Sequence, residues 1–241
     1  MKKAKNLKIK MGKKMSFVGQ AASCVYEGVS AVATSSLVKA GAKVIGCAIG
    51  QQAVNSMGVW LGQKGSSLTG GRLTVSNLVP ETVKAPFRNL GDFLLMKVTA
   101  PLSDKIHIPQ WITRHIPYND YNPASHSVIA CPMVEELVFR LPLVVIFSQI
   151  DNTEMLNSAL FTVGDMGCTA GDIAKLATVL FSAVGFTYSH ERSSGVNPHN
   201  PGRAMGLLAS GIGYAVIATQ LDFQTALMAH AVYNLSSYFL S

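Results

Sequence analysis

Charged side chains are scarce in this sequence. They make up 14% of the 241 residues, whereas soluble domains carry about 25%. Apolar residues account for 49% of the chain. Because a membrane interior excludes charge before it demands extreme apolarity, this shortage favours a protein embedded in lipid over a soluble one.

Cysteine is also rare, and its spacing excludes the common cysteine frameworks. The four cysteines lie far apart along the chain, at positions 24, 47, 131 and 168. They form no CxxC pair and no spacing typical of metal ligands. We interpret them as small apolar residues that fill space within helices.

Positive charge is plentiful in only one place, the first fourteen residues. Seven lysines there account for the net charge of +7, and the remaining 227 residues carry thirteen basic and thirteen acidic side chains. A basic tail can bind nucleic acid or anionic lipid. Because apolar segments follow it, the positive-inside rule predicts a cytosolic N-terminus, with membrane lipid and no nucleic acid as partner. Gln20 and Glu27 interrupt the stretch that a signal peptide would need.

The pattern of charge and apolar residues divides the chain into three parts. Residues 1–15 form the basic cytosolic tail. Residues 16–120 are rich in small residues before position 62 and in proline, tryptophan and tyrosine after position 100. This composition predicts variable membrane or interfacial helices. Residues 121–241 form a helical core.

Four segments of this core are long enough to cross a membrane, and no internal repeat or low-complexity segment accompanies them. They are residues 126–149, 173–190, 203–221 and 223–240. A span needs about 20 residues, and in lipid a helix satisfies its own backbone polar groups. The sequence therefore predicts an all-α, polytopic transmembrane helical bundle located in the membrane as a multi-pass protein.

The most informative charges are Glu135, Glu136 and Arg140, near the middle of an otherwise apolar segment. Isolated ions are costly in hydrocarbon, so such residues usually face the interior of a bundle and serve function. Glu136 and Arg140 are four residues apart and share a helix face. Glu135 lies about 100° around the helix and faces elsewhere. These residues alone fit either a structural ion pair or a carboxylate that accepts protons.

Two further polar pairs occur at helical spacing among apolar neighbours. Phe186 and His190 are four residues apart, as are His230 and Asn234. A histidine near a helix end can interact with the helix dipole, and His and Asn can hydrogen bond between helices. They can equally donate to a developing oxyanion. Unpaired polar groups are costly, so we expect the three helices to bring them together.

The ordered set of motifs resembles the signature of the CPBP family, which includes type II CAAX prenyl endopeptidases and the Abi proteins linked to bacteriocin self-immunity. The matching motifs are P-x-x-E-E-x-x-F-R (Pro132, Glu135, Glu136, Phe139, Arg140), F-x-x-x-H (Phe186, His190) and H-x-x-x-N (His230, Asn234). The resemblance covers roughly residues 126–240. Leu141 departs from it, since the family often has glycine after the motif arginine.

The resemblance implies an intramembrane endopeptidase that hydrolyses a peptide bond with a glutamate-activated water. Glu135 resembles the glutamate that activates the water, with His190 assisting. His230 and Asn234 resemble the pair that stabilises the tetrahedral oxyanion. The expected substrate is a membrane-associated peptide or lipidated protein, processed at a CAAX-type C-terminus or during peptide maturation or immunity.

The remaining motif residues resemble supporting groups. Glu136 and Arg140 correspond to residues that orient the site, and Phe186 to a packing residue. The expected site holds no metal and requires no cofactor. Zinc is the alternative, because Glu and His can ligate it, but an HExxH sequence is absent and amides are unusual zinc ligands.

Two other classes of function compete with the peptidase. In the first, the protein is a non-enzymatic membrane scaffold or immunity protein, and the polar cluster serves packing. In the second, it is a transporter whose intramembrane carboxylates relay ions or protons. The order of the three motifs makes the transporter the weakest of the three hypotheses.

Overall fold

The computed structural model describes residues 36–106, 126–163, 166–191 and 200–240. The chain divides into two units, 1–43 and 44–241, and only residues 36–43 of the first unit are described. The predicted basic tail therefore lies outside the described residues. All packing discussed here is within the second unit.

The described residues are mostly helical, which confirms the predicted all-α class. The elements before residue 107 are α1 (Ser36–Leu68), α2 (Val75–Leu78), α3 (Glu81–Phe93), a π-helical turn (Leu94–Thr99) and α4 (Ala100–Ser103). The elements after residue 125 are a π-helical turn (His126–Ala130), α5 (Cys131–Phe139), α6 (Leu141–Asp151), a 3₁₀ turn (Glu154–Asn157), β1 (Ala159–Val163), β2 (Met166–Thr169), α7 (Ala170–Ser189), α8 (Pro201–Gln220) and α9 (Phe223–Leu240).

The predicted helix over residues 126–149 is broken at Arg140, where α5 ends and α6 begins. Pro142 explains the break, because it has no amide N–H to donate and its ring opposes helix continuation through the preceding turn. A neighbouring helix supplies one of the hydrogen bonds at the break. The hydroxyl of Ser182 on α7 donates to the carbonyl oxygen of Phe139 at 2.6 Å.

A short antiparallel hairpin, β1–β2, precedes α7 and was not predicted. In its register, Phe161 is paired with Cys168. The hairpin leads directly into a capping box at the start of α7. The Thr169 side chain accepts from the Asp172 amide at 3.0 Å, and the Asp172 carboxylate accepts from the Thr169 amide at 2.9 Å. This reciprocal pair fixes the helix start.

Helix α1 packs closely on α8 through glycines. A Cβ atom at Gly58 would lie 2.7 Å from the Ala209 Cβ, and one at Gly62 would overlap the backbone of α8. A Cβ atom at Gly206 on the facing helix would lie 2.7 Å from the Val59 side chain. Small residues spaced four apart allow this close approach, which is typical of helix packing in lipid.

One helix among the described residues, Ala170–Ser189, is long and apolar enough to cross a membrane, with a mean hydropathy of 1.3. The helices that cover the other three predicted spans do not meet this criterion. Large apolar side chains are nevertheless exposed along several helices, including Ile49 and Trp60 on α1 and Phe181 on α7. These observations support membrane association.

Candidate functional site

The carboxylate of Glu135 lies between two imidazole rings from different helices. Its Oε1 atom is 3.1 Å from the Nε2 atom of His190, at the end of α7. Its Oε2 atom is 3.5 Å from the Nε2 atom of His230 on α9. The structure therefore brings together three residues that are spread over 96 positions of the sequence.

Glu136 and Arg140 form a completely buried pair beside this contact. The Arg140 Nε atom is 3.7 Å from the Glu136 Oε2 atom, and the side chains of both residues have no exposed area. The other carboxylate oxygen of Glu136 lies 2.9 Å from the Nδ1 atom of His230. The guanidinium carbon of Arg140 also lies 4.2 Å from the centre of the Phe186 ring. Glu136 thus links the arginine to His230, while Phe186 packs against the guanidinium.

The hydrogen bonds of His190 determine which ring nitrogen carries a proton. Its Nδ1 atom lies 2.7 Å from the Phe186 carbonyl oxygen, and a carbonyl only accepts. Nδ1 must therefore be protonated for this bond. A neutral imidazole has one N–H, so the Nε2 atom of His190 and the Glu135 carboxylate can together take up one further proton between them.

His230 contacts a carboxylate at each ring nitrogen, Glu136 at Nδ1 and Glu135 at Nε2. With Arg140 cationic, both carboxylates ionised and both imidazoles neutral, the cluster would carry a net charge of −1. One additional proton, held between His230 and Glu136, makes the cluster neutral and lets the Nε2–H of His230 donate. A neutral cluster avoids the cost of an uncompensated buried charge, and it leaves the contact between Glu135 and His190 able to accept one further proton.

The Tyr214 ring stacks on His230. The ring centres are 4.4 Å apart, with an angle of 20° between the planes. The tyrosine is 1% exposed. Among the described residues, its hydroxyl has no hydrogen-bond partner. Together with Glu136, this stack holds the imidazole of His230 in one orientation.

A cavity of about 450 Å³ opens beside these groups. All four residues expected to act on substrate line it: Glu135, His190, His230 and Asn234. Glu136 and Arg140 do not line it, which fits a supporting position. The hydrocarbon part of its wall comes from Leu94, Val134 and Leu207, among others. The cavity can therefore hold an apolar chain with a polar group directed at Glu135.

Sequence reasoning missed a second polar group in the cavity wall. Asn55 of α1 and Tyr233 of α9 both line the cavity, and the Asn55 amide donates to the Tyr233 hydroxyl oxygen at 2.9 Å. Ser210 donates to the Asn55 side-chain oxygen at 3.3 Å. The sequence contains a pattern that could have identified Asn55 as a site residue, because Gln51 and Asn55 are polar residues four apart in an apolar stretch. His230 and Asn234 show the same pattern, and it was the pattern that indicated their participation in the site.

Helix α3 holds the end of α7 that carries His190. Arg88 forms ion pairs with Glu81 on its own helix and with Glu191, the residue after His190. The Arg88 guanidinium holds the pKa of the exposed Glu81 carboxyl below its ordinary value. The end of α7 that carries His190 is thus tied to α3 by charge.

Within the described ranges, no group of three or more His, Cys, Asp or Glu side chains is arranged to hold a metal ion. The Nδ1 atoms of His190 and His230 are already engaged by a carbonyl and a carboxylate. Each imidazole thus presents only its Nε2 atom to Glu135. Histidines that ligate a metal through Nε2 usually donate Nδ1–H to a carbonyl or a carboxylate in the same way, so these contacts fit proton transfer and metal binding alike.

Comparisons of the chain with models of known protein families, with curated proteins and with solved structures find no match. The chemistry of the site is therefore derived from the positions of its own side chains.

Proposed function

We propose that this protein is a multi-pass membrane endopeptidase in which Glu135 activates a water molecule. The observation that carries the proposal is the position of the Glu135 carboxylate, in contact with two imidazoles and open to the cavity. The neighbouring Glu136 is committed to Arg140 and His230. Glu135 is therefore the carboxylate that remains to exchange protons with a substrate and water.

In the proposed reaction, Glu135 and His190 together accept a proton from water, and the oxygen attacks the carbonyl carbon of the scissile peptide bond. The carbonyl oxygen becomes an oxyanion. His230, through Nε2–H, and Asn234, through its amide, donate hydrogen bonds to it. When the C–N bond breaks, the proton taken from water passes from Glu135 and His190 to the leaving amine. The products are a carboxylic acid and an amine, and the site returns to its starting protonation state.

The membrane arrangement follows from helix α7 and its neighbours. Helix α7 qualifies as a span, and the glycine contacts between α1 and α8 are of the kind that associates helices in lipid. We propose that these helices cross the membrane together with α9, and that the basic tail lies on the cytosolic side. In this arrangement, the proposed water-dependent site lies among apolar helices.

The walls of the cavity support a proposal for the substrate class. Apolar side chains surround the polar groups, so the favoured substrate is a peptide bond flanked by apolar residues in a membrane-associated chain. A CAAX-type C-terminus with a lipidated cysteine and a peptide undergoing maturation both have this character. The CPBP-like motifs are consistent with either substrate.

A non-enzymatic scaffold or immunity protein is the second candidate. The observation in its favour is the fully buried Glu136–Arg140 pair, which packs against Phe186 and lies outside the cavity wall. Such pairs also serve helix packing alone. This candidate predicts no role for the proton-accepting ability of Glu135.

The two candidates are separated by cleavage of a diverse peptide pool that includes prenylated CAAX peptides, with products identified by mass spectrometry. Detergent-purified wild type is compared with Glu135→Gln and with Glu154→Gln, an exposed glutamate far from the cavity residues in sequence. We expect Glu135→Gln to lose at least about 100-fold in kcat, because an amide cannot act as the base. Glu154→Gln should retain wild-type activity.

Equal cleavage by wild type and Glu135→Gln would refute the role of Glu135 and support the scaffold. The same assay with a chelator tests the metal. Activity that survives the chelator agrees with the proposed mechanism. Loss that zinc restores would replace the mechanism with a zinc-dependent one.

A further inference from the structure

The proposed reaction uses only part of the polar surface in the cavity. Asn55 and Tyr233 also line it, and no step described above requires them. They come from helices at opposite ends of the chain, separated by 178 positions. Their hydrogen bond therefore joins the wall formed by α1 to the helix that carries His230 and Asn234.

A chain of hydrogen bonds fixes the orientation of Asn55. Gln51, which is 2% exposed, donates to the Ser210 carbonyl at 3.0 Å. The Ser210 hydroxyl in turn donates to the Asn55 oxygen, so the Asn55 amide nitrogen is directed at Tyr233. Because Gly58 has no side chain, α1 lies directly against α8, which brings Asn55 within reach of Ser210.

The Tyr233 hydroxyl has a proton that it can donate in a further hydrogen bond. Its oxygen already accepts a hydrogen bond from Asn55, so its own proton is directed elsewhere. Among the described residues, the hydroxyl forms this hydrogen bond as an acceptor and none as a donor. A hydroxyl whose oxygen accepts a hydrogen bond is a stronger donor, because linked hydrogen bonds polarise one another. Tyr233 therefore presents an activated donor to the cavity.

The spacing on α9 relates this donor to the reacting bond. Tyr233 follows His230 by three residues, so both lie on one helix face, about 4.5 Å apart along the axis. Successive residues of an extended peptide are about 3.3 Å apart. A carbonyl that meets Tyr233 would thus belong to a residue one or two positions from the scissile bond.

We infer that the Tyr233 hydroxyl, oriented by Asn55, binds a backbone carbonyl of an extended peptide next to the scissile bond. This inference rests on the proposed function, because it assigns a binding role within the same cavity. Helix α1 thereby becomes a wall of the substrate site. Val59 of α1 and Leu207 of α8 also line the cavity and offer apolar contact to a substrate side chain.

The first test uses Tyr233→Phe, which removes only the hydroxyl, and Asn55→Leu, which removes its orienting partner at similar volume. Gln52→Leu is the matched control, because Gln52 is exposed on the same helix. A neutral hydrogen bond contributes about 0.5–1.5 kcal/mol, so KM should rise about 2- to 12-fold in both variants, with kcat within twofold of wild type. Melting temperatures identify any variant that fails to fold.

The second test locates the bound carbonyl. Each amide of a cleaved peptide is replaced in turn by an alkene, which keeps the shape and removes the carbonyl oxygen. At one position near the scissile bond, the replacement should weaken binding to Glu135→Gln protein but not to the double variant Glu135→Gln/Tyr233→Phe. Loss of binding by the same factor in both proteins at every position would overturn the inference.

The outcomes separate this inference from the proposed function. If wild type cleaves peptides and Tyr233→Phe has an unchanged KM, the inference fails and the peptidase stands. If wild type cleaves no peptide and Glu135→Gln binds none, the proposed function fails and the inference falls with it.

Discussion

Gly91 of α3 lies directly against the backbone of Ser189, the residue that precedes His190. A Cβ atom at position 91 would overlap the Ser189 carbonyl, so only glycine allows this approach. The contact sets the distance between α3 and the end of α7, where His190 meets Glu135. A backbone contact without side chains thus positions a proposed catalytic imidazole.

Gly91→Ala should displace α3 from α7. Overpacking of this kind typically destabilises a protein by about 1–3 kcal/mol. We expect a lower melting temperature in detergent and a lower kcat, because His190 moves relative to Glu135. The matched control is Gly50→Ala, since a Cβ atom there meets nothing within 4 Å. In a helix that substitution should stabilise by about 0.5–1 kcal/mol. Equal melting temperatures for the two variants would contradict the assignment.

The Arg88 ion pairs predict a pH-dependent stability. Arg88 lowers the pKa of Glu81 from its ordinary value of 4.5, so the folded state binds the Glu81 proton more weakly than the unfolded state. The stabilisation is therefore fully present above about pH 4.5, and it is lost as the pH falls through the lower folded value. Chemical unfolding should be measured for wild type and Arg88→Met at pH values above and below 4.5. The difference between their free energies of unfolding should narrow at acid pH. Arg72→Met, at an exposed position before α2, should show no such change.

The buried Glu136–Arg140 pair predicts non-additive effects of substitution. Arg140→Met leaves the Glu136 carboxylate buried without its cation, which should cost about 3–5 kcal/mol. Glu136→Gln/Arg140→Met removes both charges and should be more stable than Arg140→Met alone. Unfolding free energies of wild type, Glu136→Gln, Arg140→Met and the double variant form the complete cycle. Strictly additive losses would show that the two groups do not interact.

The stack between Tyr214 and His230 predicts different results for two substitutions. Tyr214→Phe keeps the ring and removes a buried hydroxyl that lacks a partner, so stability and kcat should be retained. Tyr214→Leu removes the stack, which is worth about 0.5–1.5 kcal/mol, and should lower kcat by up to about tenfold. Steady-state kinetics with one cleaved peptide distinguishes the two. A large kcat loss in Tyr214→Phe would instead assign a chemical role to the hydroxyl.

Spacing along a single helix predicted part of the site correctly. Residues four apart share a face, which places Glu136 against Arg140 and leaves Glu135 directed elsewhere. The same rule places Asn234 on the cavity side with His230. These are local relationships, and the geometry of one helix is sufficient to determine them.

Features that depend on long-range packing were not predictable in the same way. The break at Arg140 had a local signal in Pro142, but hydropathy continues across it and suggested one helix. The β1–β2 hairpin lies in a short apolar run whose period favours neither helix nor strand. The bond between Asn55 and Tyr233 depends on how α1 packs against α8, and spacing in the sequence contains no information about that contact.

The participation of α1 in the cavity wall has an evolutionary consequence. The motif residues all lie after position 130, whereas Asn55 and Val59 of the wall lie in the region without recognisable motifs. Recombination that joined the C-terminal half to a different N-terminal half would exchange part of the binding surface and keep every reacting group. Under the proposed function, new substrate preferences would then arise in a lineage without any substitution among the residues proposed to perform hydrolysis.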